Sequence, residues 1–121
     1  MNTVLFNKIY ALKVNEKKAK INLKYEEQNA FAQELNKVLG QLSLTEIKEL
    51  KTATKAKYAK TTTLLQKCKR LNQKFAAAHR VLSSFDAKTF YDLSAKELAC
   101  KELIADCKQF ENKLKHNDLQ F

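Results

Sequence analysis

Apolar positions along the chain repeat with two different periods, and the period divides it into elements. Over residues 26–42, Phe31, Leu35, Val38 and Leu42 recur at +4, +3 and +4, with Ala32 and Leu39 alongside. That stripe predicts an amphipathic helix. Gly40 falls near its end, where glycine serves as a C-cap. Ser43-Leu-Thr-Glu46 then has the form of a capping box and opens a long helix over 44–84. In this helix Ile47, Thr54, Thr61, Cys68, Phe75 and Leu82 stand seven apart, and so do Leu50, Lys57, Leu64, Leu71, Ala78 and Phe85. Together they make an a/d-type heptad seam. The middle of the seam is polar, at Thr54, Lys57 and Thr61. The alternative is a break near 60–63, where three threonines are poor helix formers and Thr63-Leu-Leu-Gln66 resembles a second capping box. Beyond it, Asp86 caps a short helix through Phe90, Tyr91 and Leu93. Ser94-Ala-Lys-Glu97 opens a last helix that ends near Lys115, so helices fill 86–115. Its stripe is Cys100, Leu103, Cys107, Phe110 and Leu114, with Leu98 and Ile104 beside it.

Residues 6–25 follow the other period. Ala19, Ile21, Leu23 and Tyr25 alternate with polar residues, as do Tyr10, Leu12 and Val14 with Ala11 and Lys13. Alternation is the mark of a half-buried strand. A loop at Asn15–Lys18 sets Val14 opposite Ala19, Leu12 opposite Ile21 and Tyr10 opposite Leu23, all on one face. The outward face then shows Lys13, Lys20, Asn22 and Lys24. The expected fold is mostly α: a three- to four-helix bundle with one long basic helix and an N-terminal β-hairpin, the alternative being all-α. Its core is expected at Leu35, Leu39, Leu42, Ile47, Leu64, Leu71, Phe75, Leu82, Leu103, Cys107 and Phe110.

Composition supports a single domain over 1–121, with one glycine and no proline to form a linker. The N-terminal residues lack the basic and apolar regions of a signal peptide, and no stretch is apolar enough to span a membrane. Three cysteines, an odd number at unremarkable spacings, read as reduced thiols in a cytoplasmic protein. They lie on apolar stripes and suit buried packing. No metal or cofactor is expected, since no Cys-x-x-Cys or His-x-x-x-His spacing is present.

Charge changes the picture most. The chain carries a formal +10, and residues 50–85 hold nine basic side chains without one Asp or Glu. Most helices intersperse acids for i,i+4 pairs. A run of like charge costs stability by self-repulsion, which an anionic partner offsets. The candidate binding residues are Lys51, Lys55, Lys57, Tyr58, Lys60, Lys67, Lys69, Arg70, Lys74 and Arg80. Lys60, Lys67 and Lys74 form a ridge beside the seam, and Lys55, Lys69 and Arg70 point outward. Tyr58 is placed either to stack on an exposed base or to cover the seam. Lysine dominance favours phosphate contact over base reading.

The expectation is a non-enzymatic protein that binds DNA or RNA through its phosphate backbone. The alternative is an inhibitor or adaptor, as among phage- and plasmid-type accessory proteins, docking on an acidic protein surface. The plain reading is a solvated face that keeps the chain soluble. No nucleophile elbow, paired carboxylates or glycine loop marks an enzyme, and no membrane association is expected. The heptad seam can close within one chain or pair two copies into a homodimer.

Overall fold

In the computed structural model the described residues are 1–77 and 84–118, with side chains apart from those of residues 72, 75–77, 84–87 and 117–118. Four helices account for them: α1 (Thr3–Ile21), α2 (Tyr25–Gly40), α3 (Leu44–Ala77) and α4 (Ser84–Asp118). α1 and α2 fold back on each other through a tight turn, and α3 and α4 form a second antiparallel pair. α1 also lies against α4.

The expected hairpin is a helix. Among the described residues there is no strand. Asn2 caps α1, its side-chain oxygen accepting from the amides of Val4 (2.8 Å) and Leu5 (3.4 Å). The Leu, Lys, Ala and Glu that fill the segment favour helix. The alternation over 19–25 arose by crossing three settings: the last turn of α1, the turn itself and the first residue of α2. α1 ends in a Schellman turn, in which the Lys24 amide donates to the Ala19 carbonyl (2.8 Å) and the Leu23 amide to that of Lys20 (3.1 Å). Leu23 takes the left-handed position, φ 59°, that glycine usually fills. Ile21, Leu23 and Tyr25, expected on a buried face, are exposed. Gly40 is the last residue of α2 and has no positive φ, so the C-cap expected of it does not form.

α3 opens as the sequence predicts. The Ser43 amide donates to the Glu46 carboxylate (3.1 Å), and the Glu46 amide to the Ser43 hydroxyl (3.2 Å). α3 then runs unbroken across 60–63. Its threonines fit because their hydroxyls are satisfied. Thr54, Thr61 and Thr63 donate to the carbonyls of Leu50, Lys57 and Ala59, one turn back, and Thr62 reaches Glu97. α4 is also a single helix where two were expected. Ser94 lies inside it, and Glu97 accepts from Thr62 rather than closing a cap.

The core gathers where α2 turns into α3. Ile9, Leu35, Val38, Leu39, Leu42, Ile47, Leu50, Leu103 and Cys107 are buried together, with Phe110 and Leu114 packed at the margin. Phe75 and Leu82, both expected in the core, lie outside the described side chains.

Leu64 and Leu71 were also expected in the core, and they are 50% and 52% exposed. Helix geometry gives the reason. Residues seven apart fall about 20° short of two full turns. Measured from Ile47, Leu50, Thr54, Thr61, Leu65 and Cys68 all lie within about 60° and are buried or half-buried. Lys57, Leu64 and Leu71 drift out to about 80°, 100° and 120°. In a helix that does not supercoil, Leu65, 3% exposed, takes the place the heptad assigned to Leu64.

Candidate anion-binding face

The same drift arranges the basic residues. Lys60, Lys67 and Lys74 move to about 140°, 160° and 180° from Ile47, the side of α3 turned away from the core. They stand about 10.5 Å apart along the axis, and Arg70 lies between the last two. All four are exposed, as are Lys55 and Lys69. Among the described residues none of these six cations forms an ion pair.

The other candidates have different positions. Lys51 is half-buried and donates to Glu111 across the α3–α4 interface (2.6 Å). That hydrogen bond holds the Glu111 carboxyl below its ordinary range, with the charges of Lys51 and Lys115 adding to it. Lys51 is therefore part of the packing. The Lys57 ammonium sits 5.3 Å from the centre of the Tyr10 ring. Tyr58 is half-buried at the edge of the stripe. Arg80 lies outside the described residues.

A second group of charges was missed. Lys13, expected on the outer face of a hairpin, is only 6% exposed, and Lys17 only 4%. Lys13 meets Asp106 at 2.8 Å, Glu16 at 3.4 Å and Glu102 at 3.7 Å. Lys17 pairs with Glu102 and, at 3.5 Å, with Glu16. Burial favours the neutral amine of Lys13. The hydrogen bond to Asp106 and the surrounding carboxylates outweigh it and raise its affinity for the proton. Nearby, Lys18 and Lys96 bind Asp92. Burial pushes the Asp92 carboxyl up, and these two lysines together hold it below its usual range. The i,i+3 spacing of Lys13 and Glu16 was visible in the sequence. Partners some ninety residues away were not.

Three buried polar groups lie near the core. The Tyr10 hydroxyl is enclosed beside Thr61 and Cys100 without a well-aligned hydrogen bond, and its ionisation is pushed upward, chiefly by burial and then by Cys100. Burial likewise raises the Cys100 thiol and takes that of Cys107 up to about 12, so both stay protonated. The described residues hold no cluster of three or more His, Cys, Asp or Glu side chains fit to bind a metal ion. No described helix is long and apolar enough to cross a membrane.

No protein family, curated protein or solved structure matches the chain.

Proposed function

We propose that this protein is a non-enzymatic binding module that holds nucleic acid by its phosphate backbone on the outer face of α3. Lys60, Lys67, Arg70 and Lys74 form the face, while Lys55 and Lys69, at about 80° and 40° from Ile47, are exposed on the flank of the helix beside it. One observation carries the reading: these six cations stand exposed and without an ion pair within twenty residues of a single helix, in a stretch that holds no Asp or Glu, whereas Lys13, Lys17, Lys18 and Lys51 are held by carboxylates across the fold. Long side chains on a rigid helix suit a phosphate chain, which needs charge at intervals rather than shaped pockets. The ridge from Lys60 to Lys74 spans about 21 Å, enough to follow several phosphates. With Arg70 the one described arginine, sequence preference is expected to be slight.

The test is binding of a labelled mixed-sequence duplex and a single strand over a series of salt concentrations. Micromolar or tighter affinity that falls steeply with salt is expected. Lys60→Gln/Lys67→Gln/Lys74→Gln should lower the slope of log affinity against log salt by about 2–3. Absence of binding at low salt, or an unchanged slope in the triple variant, would overturn the proposal.

A further inference from the structure

Leu64 and Leu71 are half exposed on the one described face of α3 where large apolar and basic side chains alternate. Each leucine has a lysine four residues before it and another three residues after it. Leu64 lies between Lys60 and Lys67, and Leu71 between Lys67 and Lys74. On a helix these spacings are side-by-side neighbours. The result is an apolar row, one heptad long, edged along its whole length by lysines that have no acid partner.

We infer that this row docks an acidic amphipathic helix of another protein, with Leu or Ile at heptad spacing and Asp or Glu on the flank that meets Lys60, Lys67 and Lys74. This goes beyond phosphate binding but shares its lysines, so the helix would compete with nucleic acid for the face. That competition, though not the docking itself, rests on the function proposed above.

Charge and shape select this occupant. Phosphates would neutralise the lysines and leave the leucines against water. Leucine offers a nucleobase no ring to stack on, which is how single strands are usually gripped. A second copy of this chain would cover the leucines but bring two lysine rows together, a like-charge arrangement that coiled-coil flanks select against. A helix with acidic flanks covers the leucines and pairs the lysines at once. Such helix-in-groove binding relies on anchors at i, i+3, i+4 and i+7, of which Leu64 and Leu71 supply the i and i+7 pair. Two half-exposed leucines make a small apolar patch, so micromolar affinity is expected rather than nanomolar.

The probe is a fluorescent synthetic helix of about four heptads, with Leu at a and d and Glu at e and g. A matched peptide with Gln for Glu is the control. Titrated with the full-length protein, the acidic helix should bind at micromolar concentrations and the control at least about tenfold more weakly. Leu64→Ser/Leu71→Ser should weaken the acidic helix about tenfold or more while leaving duplex affinity within about twofold, since both side chains are already half in water. Lys60→Gln/Lys67→Gln/Lys74→Gln should weaken both ligands. Circular dichroism of each variant checks that helicity is retained. No binding at about 100 µM peptide, or binding indifferent to the leucine pair, would overturn the inference. If the peptide binds as described and nucleic acid does not, docking stands and the phosphate reading fails.

Discussion

Lys13 and Lys17 of α1 are as enclosed as the leucines around them, while Lys60, Lys67 and Lys74 of α3 project into solvent. The two groups are chemically the same and both occur on helices with ordinary helix-forming neighbours. They differ in what the fold brings opposite. α4 supplies Glu102 and Asp106 to α1, so burial there is matched by charge. The outer face of α3 receives no acid among the described residues. Local lysine density therefore says little about whether a charge is structural or available. Its partners across the fold decide that.

Lys13→Met would leave Asp106, Glu16 and Glu102 crowded without their central cation. Removing one member of a buried pair costs about 3–5 kcal/mol. Asp106 and Glu102 reach solvent in part, which lowers the expected loss to about 2–3 kcal/mol. Urea denaturation measures it, and Lys13→Met/Asp106→Leu should recover part of the loss. A cost no larger than that of a ridge substitution would erase the distinction between the two groups.

Acid should attack the matched charges first. The Asp92 and Glu111 carboxyls are held below their usual values in the folded state. A depressed carboxyl contributes stability that is present above its unfolded pKa and is lost as pH falls through the folded one. The melting temperature should thus drop below about pH 4, and Asp92→Asn should shrink the drop. Lys13 works in the opposite sense. Its raised pKa gives stability that is full below about pH 10.5 and lost as pH rises through the folded value. A melting temperature flat from pH 3 to 6 would contradict these pairings.

Leu23→Gly changes neither charged region and serves as a reference. A left-handed residue with a side chain costs about 1–2 kcal/mol, and glycine gives back about 0.5–1 through unfolded-chain entropy. Leu23 is 68% exposed and sacrifices little packing. A gain of about 0.5–1 kcal/mol in denaturant unfolding is expected. A loss would mean that the Leu23 side chain contributes to packing in a way its exposure conceals.

The smallest effect belongs to the ridge. Lys60→Gln/Lys67→Gln/Lys74→Gln should leave stability within about 0.5 kcal/mol of the parent or raise it slightly, because it relieves repulsion and breaks no pair. Added salt should stabilise the parent more than this variant. If the triple change destabilises the protein by 2 kcal/mol or more, the ridge is structural and the anion-binding proposal loses its footing.

Much of the helical arrangement was readable from residue spacing. The stripes of α2 and α4 and the cap at Ser43 and Glu46 are local patterns, and local patterns survive in a single sequence. α1 misled because polarity does not follow burial along it: Lys13, Glu16 and Lys17 are on its buried side, packed on α2 and α4, while Val4 and Ala11 share the exposed side with Lys8 and Asn15. Leu64 and Leu71 misled for a different reason. A heptad reading presumes supercoiling, whereas at 100° per residue Leu65 rather than Leu64 falls on the core side, and Leu65 is the buried one. Of the candidate face, Lys55, Lys60, Lys67, Lys69, Arg70 and Lys74 are exposed as the sequence suggested. Lys51 was not legible as a packing residue, because the carboxylate that claims it is sixty positions away.

The buried pairs of α1 also limit how the chain can slip. Lys13 and Lys17 are four residues apart, as are Glu102 and Asp106, so the pairs make a two-rung ladder between antiparallel helices. Sliding α1 by one turn along α4 keeps at most one rung. In one direction Lys17 comes abreast of Leu98, and in the other Lys13 comes abreast of Phe110. Either misalignment strands a charged lysine against hydrocarbon, a penalty that a purely apolar interface between these helices would not impose. The ladder thereby works as a key, admitting one alignment of α1 on α4 and rejecting its nearest neighbours.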